Sequence, residues 1–137
     1  MNKKIIGFCF AFILGLNPVN ALAITVTDMM QNQVSIDTPP KRAAIATVPI
    51  ASLLISLTDQ PEHLVGVHPF AKETLLDGTL GQHYPQLHTL KTDVIARNFT
   101  PNTDVFLAFH VDLVVSCPHL SPTLFKRIQA GYIPTIT

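Results

Sequence analysis

Polar and apolar residues alternate along "ITVTDMMQNQVSI" (24–36), on both sides of a central "MQNQ". Alternation of this kind predicts a β-hairpin over 25–36. Asn32 is its residue most tolerant of the positive φ that a tight turn requires. Two consecutive prolines in "DTPPK" then make an extended connection, neither helix nor central strand. Beyond it the period changes. "AAIAT" (43–47) is a short apolar strand, Pro49 stands where a first helical turn tolerates proline, and "IASLLISL" supplies the helix behind it. "HLVGV" (63–67) is a second buried strand, followed by a long, irregular, partly helical stretch. In "NTDVFLAFHVDLVV" (102–115), Val105, Phe106 and Phe109 recur at about the helical period. Asp112 then opens the unbroken run Leu113, Val114, Val115, the pattern of a strand covered on both faces. "SPTLFKRIQAG" has Ser121 as N-cap, Pro122 at the first helical position and Gly131 as stop, and "YIPTIT" begins one more strand.

Strand and helix thus alternate three times: 43–47 with 49–58, 63–67 with the 71–84 region, and 112–116 with 122–130. This order predicts an α/β fold, a Rossmann-like and mainly parallel sheet with right-handed crossovers, flanked by helices. Its strands should be 43–47, 64–67, 112–116 and 133–136, with the hairpin at the margin. No helix follows the last strand, although buried parallel strands need cover on both faces. The pattern therefore reads as incomplete at its C-terminal end.

The first 23 residues form a separate object. Lys3 and Lys4 precede the apolar run "IIGFCFAFILGL", and "NPVNALA" ends in small residues at Ala21 and Ala23. This is the form of a secretory signal peptide cut after Ala23, with an apolar run too short to span a bilayer. Residues 24–137 then make one domain with a single modest core. Without Lys3 and Lys4 the nine basic residues become seven, against nine acidic ones, and no basic stripe exists to attract nucleic acid. Cys117 is the only cysteine outside the leader, so packing must supply stability in place of an internal disulfide.

Several pieces, in order, resemble the periplasmic substrate-binding proteins of bacterial ABC importers for iron–siderophore, haem and cobalamin. "VTDMMQNQVSID" is similar to that family's opening hairpin, Thr-Asp-x-x-Gly-Arg-x-Val, and "PPKRAAIAT" to its Pro-x-Arg-Ile-Val strand. "HLVGV" matches its Leu-Val-Gly-Val strand. "NTDVFLAFHVDLVV" aligns without a gap on Asn-x-Glu-x-Ile-Leu-x-Leu-x-Pro-Asp-Leu-Val-Ile, and "AGYIPTIT" resembles the following Gly-Ile-Pro-Val. The departures are Gln31 and Asn32 for Gly-Arg, Asp59 where a glycine often follows the first helix, Asp104 for Glu, and Val111 for Pro. The resemblance implies two α/β lobes joined by a long helix with ligand in the cleft. Residues 24–137 supply the N-terminal lobe, about half of such a protein. It further implies capture of an iron chelate, haem or cobalamin in the periplasm, for an ABC permease in the inner membrane. No cofactor beyond that transported ligand is implied. The alternatives are a non-functional truncated fragment of such a protein and a small secreted α/β enzyme.

Ligands of open parallel sheets bind beyond the carboxyl ends of the strands. That rule selects Val48–Ser52, His68–Lys72, the approach Arg97–Thr100, and Ser116–Ser121. The candidate ligand-binding residues are Pro49, His68, Phe70, Arg97, Phe99 and His119. Pro49 marks a helix start whose free N–H groups favour anions, and Arg97 carries a charge suited to an anionic chelate. Phe70 and Phe99 offer ring faces or else core packing. His68 and His119 offer imidazole, or else are loop histidines that are merely solvated. No catalytic and no resident metal-ligating residues are expected, since Gly-x-Ser-x-Gly, a Gly-rich phosphate loop and His-Glu-x-x-His are all absent.

Overall fold

β1 (Ile24–Thr27) and β2 (Gln33–Ile36) pair antiparallel, Ile24 opposite Ile36, as a hairpin of their own. β3 (Ala43–Ile45), β4 (Leu64–Val67), β5 (Leu113–Val115) and β6 (Thr135–Ile136) form a second sheet. Its order is β4-β3-β5-β6 and every neighbouring pair is parallel. The connections carry α1 (Val48–Thr58), α2 (Pro69–Asp77), α3 (Thr79–His83) and α4 (Thr103–Ala108), with tight 3-10 turns at Pro61–His63 and Pro85–Thr89. These statements come from a computed structural model that describes residues 23–117, 128 and 133–137. The expected signal peptide, the 122–130 helix and His119 lie outside the described residues, apart from Ala23 and Ile128.

The period-2 alternation along β3 divides the interior. Ala43 and Ile45 pack with Ala51 and Ile55 of α1, Ala71 and Leu75 of α2, and Leu87 and Leu90. Ala44 and Ala46 point the other way, onto Val94, Ile95, Phe106 of α4, Val114 and Ile128. The central strand is therefore covered on both faces, and Ala44 and Ile45 are fully buried. β4 departs from regular alternation. Ala43 pairs with Leu64 but Ala44 pairs with Gly66, so a bulge at Val65 lets Leu64 and Val67 serve the same core. Gly66 then lies under Val94, where a β-carbon would sit 2.6 Å from Cγ1. The glycine of "HLVGV" is required by this close approach.

Two carboxylates tie distant segments together. Asp112 accepts hydrogen bonds from the backbone N–H groups of Lys41 (2.8 Å) and Arg42 (2.9 Å), locking the start of β3 to the start of β5. Asp28 does the same at the opposite edge. Its carboxylate accepts from the N–H groups of Met30 (2.9 Å) and Asn32 (2.8 Å), from the Asn32 side-chain amide, and from the Thr137 hydroxyl (2.6 Å). The Met29 N–H also donates to the Thr137 carbonyl at 2.9 Å, so the hairpin tip is clipped beyond the end of β6. Burial alone would raise the Asp28 pKa. The bonds from Thr137, Asn32 and Met30 outweigh it and hold the group at about 2 instead of 3.8.

The sheet, its polarity and the marginal hairpin match the pattern of the sequence, and three details differ. The positive φ of the hairpin falls on Gln31 (63°), not Asn32, because the Asp28 carboxylate holds Asn32 through both its backbone and its side chain. The irregular region resolves into α2 and α3, broken at Gly78, which is extended with ψ −179°. Strands are shorter than expected, three residues in β3 and in β5.

Gly66→Ala should cost about 1–3 kcal/mol, the usual range for forcing a methyl into a filled site. A denaturant midpoint equal to that of the unsubstituted chain would show that Val94 gives way. A second expectation concerns acid. The folded Asp28 carboxyl is more acidic than the unfolded one, so its contribution is complete above pH 3.8 and lost as pH falls towards about 2. In an acid titration followed by circular dichroism, Asp28→Asn should start less stable and lose less across that window. Equal losses would remove Asp28 from the account.

Candidate functional site

All four parallel strands end at one edge, which the chain leaves at Ala46, His68, Ser116 and Thr137. From β3 the chain crosses to β4 on one side, and later strands add on the other. The topological switch point therefore lies between β3 and β5, where open α/β sheets hold ligands. Ala46 N–H to Val115 O (2.8 Å) and Ser116 N–H to Ile136 O (2.9 Å) fix the start of the loops around it.

Thr47 is the N-cap of α1, with extended backbone (φ −99°, ψ 129°), yet its side chain caps no helical N–H. Its hydroxyl is shielded from solvent and meets no hydrogen-bond partner among the described residues. Such a group forgoes about 1–3 kcal/mol relative to a satisfied one. Pro49 sits exposed in the first turn of α1, where its missing N–H is not needed. Together they place the positive end of an 11-residue helix at the switch point.

A second cluster stands beyond β4. His68 is fully buried and is the N-cap of α2; its Nδ1 accepts the Phe70 N–H at 3.2 Å. That bond leaves the proton on Nε2, which donates to the Arg97 carbonyl at 3.3 Å. Phe99 lies on the imidazole with centroids 4.0 Å apart and planes 17° from parallel. Phe99 also holds a left-handed φ of 63°, a strained conformation for a bulky side chain. The loop keeps it through Phe99 N–H to Ala96 O and Ala96 N–H to Thr100 O. Outside this support, the Arg97 guanidinium lies 4.8 Å above the Phe70 ring and pairs with Glu73. Arg97 and Glu73 are 60% and 52% exposed and Phe70 is 43% exposed, so both charges and the ring meet solvent.

The structure brings His68, Phe70, Arg97 and Phe99 together and sets Pro49 on the next loop of the same edge. Two expectations change. His68 is no solvated loop residue, and its two ring nitrogens are already committed, so it supports the cluster without facing outward. Phe70 and Phe99 belong to neither core; Phe70 is a surface ring and Phe99 a half-buried one. Reading the sequence missed Thr47, Glu73 and the Asp28–Asn32 tip at the end of β6. The signal for the tip was Asp28 four residues ahead of Asn32, an Asx-type turn. One hollow of about 350 Å³ lies at the amino ends of the strands beside Arg42, Leu64, Lys91 and Phe109, away from this cluster, and one of about 180 Å³ lies between α1 and α2, bordered by Val48, Ser52 and Ala71 of the selected loops. No group of three His, Cys, Asp or Glu that could hold a metal ion occurs among the described residues.

This is the fold of the N-terminal lobe of periplasmic solute-binding proteins. The chain superposes on a periplasmic solute-binding protein from Veillonella parvula with a TM-score of 0.78 at 23% identity, covering 84% of this chain and 35% of the other. It is similar to MolA, a molybdate periplasmic binding protein of Haemophilus influenzae (TM-score 0.68, 20% identity, 82% and 33% covered). It is also similar to the haem-binding protein HmuT (TM-score 0.60, 21% identity, 88% and 35% covered). The chain thus spans about a third of these proteins, a smaller share than the half its sequence resemblance suggested. No family model and no curated protein matches it.

Thr47→Val separates packing from recognition. Removing an unpartnered buried hydroxyl at constant shape should leave the melting temperature unchanged or slightly higher. Loss of stability by more than about 1 kcal/mol would mean that the hydroxyl has a protein partner.

Proposed function

We propose that the chain captures a small anionic chelate at the carboxyl edge of its sheet, in the periplasm, for delivery to an ABC permease of the inner membrane. One observation carries the reading. An exposed guanidinium and aromatic faces beyond β4 share the carboxyl edge with the positive end of α1 at the switch point, where the Thr47 hydroxyl meets no partner among the described residues. A helix start and an arginine both favour negative charge, and ring faces suit the apolar shell of a chelate. Ferric siderophores, haem and cobalamin are the ligand classes in view. Arg97 contacts the anionic group and Phe70 and Phe99 its apolar surface, while Pro49 and Thr47 border the second contact and His68 holds the first in place. His119 follows β5 in the sequence and is a candidate on that ground alone. Capture and release are the whole chemistry, with no catalytic step.

One lobe supplies one wall, and affinity in a cleft comes from enclosure. Half of a nanomolar site's roughly −12 kcal/mol corresponds to tens of micromolar, and the cost of association is not halved with the contacts. Haemin, a ferric siderophore or cyanocobalamin should therefore bind no tighter than about micromolar, as followed by chelate absorbance or calorimetry. Arg97→Ala should weaken binding of the carboxylate-bearing probes about fivefold. Glu73→Gln should strengthen it about two- to fivefold by releasing Arg97 from its exposed pair, an interaction of about 1 kcal/mol or less. Submicromolar binding that is indifferent to both substitutions would put the site elsewhere.

A further inference from the structure

The hollow of about 350 Å³ lies at the amino ends of the strands, the opposite edge from the candidate chelate contacts. It opens where the two cores meet. Leu64 and Leu90, nearly buried, come from the core against α1 and α2, and the half-buried Val65 and Phe109 flank the core against α4. Phe109 also brings two cations to the rim. Its carbonyl accepts the Arg42 Nε–H at 2.6 Å, and its ring centroid lies 5.9 Å from the Lys91 ammonium. Arg42 is held at both ends, because its backbone N–H donates to Asp112 at 2.9 Å. Its two Nη groups meet no partner among the described residues. Neither cation has a carboxylate within ion-pair distance among those residues, where the one ion pair is Arg97 with Glu73. Glu62 borders the same hollow and engages neither.

A cap on the last carbonyls of α4 would account for Arg42. It gives Lys91 no role, since that ammonium stands over the ring and bonds no carbonyl among the described residues. Two cations converging on one aromatic residue, beside an apolar floor, complement an anion with an apolar body. We infer that this hollow is a second binding site, for a small organic carboxylate whose head lies between Arg42 and Lys91 and whose body rests on Leu64, Val65 and Leu90. Two positive charges against the one of Glu62 leave the lining singly positive, which suits a monoanion. The volume falls at the small end of the range for ligand sites, the size of a medium-chain or aromatic acid. Burial of the body supplies the affinity, at about 25 cal/mol for each Å² of apolar surface removed from water, and the cations select the charge. The site is separate from the carboxyl edge and stands whether or not that edge holds a chelate.

The test uses the full chain labelled with 13C at the leucine and valine methyl groups, titrated with sodium octanoate. Octanoate should shift the methyl signals of Leu64, Val65 and Leu90, assigned by single conservative substitutions, and its binding should weaken as salt is raised. Lys91→Gln should weaken binding about two- to fivefold and Arg42→Gln by a similar factor, the range of an exposed ion pair. Lys91 is exposed and its ammonium bonds nothing among the described residues, so Lys91→Gln should leave the melting temperature unchanged. That variant carries the test even where Arg42→Gln destabilises the fold through the lost bond to Phe109. Octanol, with the tail and no charge, and acetate, with the charge and no tail, should each bind far more weakly. Octanol binding as tightly as octanoate would show an apolar hollow that recognises no head group, and acetate binding as tightly would show general attraction to the surface. Either result overturns the site, as do octanoate shifts confined to methyls elsewhere, or binding indifferent to Lys91→Gln. Each of these outcomes leaves the function proposed for the carboxyl edge untouched.

Discussion

Four short parallel strands stay paired only if both faces of the sheet are covered, and that requirement organises the rest of the molecule. β3, at the centre, satisfies it with alternating small and large residues, Ala43 and Ile45 toward α1 and α2, Ala44 and Ala46 toward α4 and the 94–95 segment. Strands of two to four residues give few ladder hydrogen bonds. Cover on each face supplies most of the stability, at about 25 cal/mol for each Å² of apolar surface removed from water. The bulge in β4 follows from the same demand. It turns Leu64 and Val67 into one core and leaves room for Val94 over Gly66 in the other.

Sequence pattern made this framework legible because burial writes itself as periodicity. Leu113–Val115 and Ala43–Ile45 read as strands because apolar runs of that length between turn residues have few other uses. Pro49 marks a helix start because only a first turn spares an N–H. Loop conformation was less legible. Asn32 looks like the left-handed residue by intrinsic preference, but its hydrogen bonds to Asp28 shift that role to Gln31. Gln31 is also where the resembled hairpins carry glycine, and Asp59 stands at another such place. Both have positive φ, 63° and 53°, a backbone shape that glycine adopts without steric cost. At Asp59 the Tyr84 hydroxyl bonds the carboxylate and helps to hold the turn, which in turn raises the Tyr84 pKa.

The candidate site was half legible for a related reason. Its location follows from topology alone, since the carboxyl edge and the switch point need only strand order. The roles of its residues depend on burial, which no local pattern reports. His68 looked like a residue at the surface because His-Pro opens a helix from a loop. In the fold the imidazole does what an aspartate or serine N-cap would do, and packing against Phe99 then hides it. Thr47 was hidden for the opposite reason: threonine before a helix reads as an ordinary cap, and only the structure shows that its hydroxyl caps nothing.

The left-handed residues divide by edge. Asp59 follows α1 and His110 follows α4, both where the chain turns back toward the amino ends of strands, and both close a helix. Gln31 and Phe99 close no helix; they shape the two loops that flank the carboxyl edge at β6 and β4. Strain of about 1–3 kcal/mol per residue persists only where surrounding contacts hold it. Each of the two loops has such contacts, the Asp28 carboxylate for one and the His68 ring for the other. Buried polar groups offset this strain and fix what the loops display, a guanidinium and a ring at the β4 end and the hairpin tip at the β6 end. On the function proposed above, fixing such groups before a ligand arrives lowers the ordering cost of binding it.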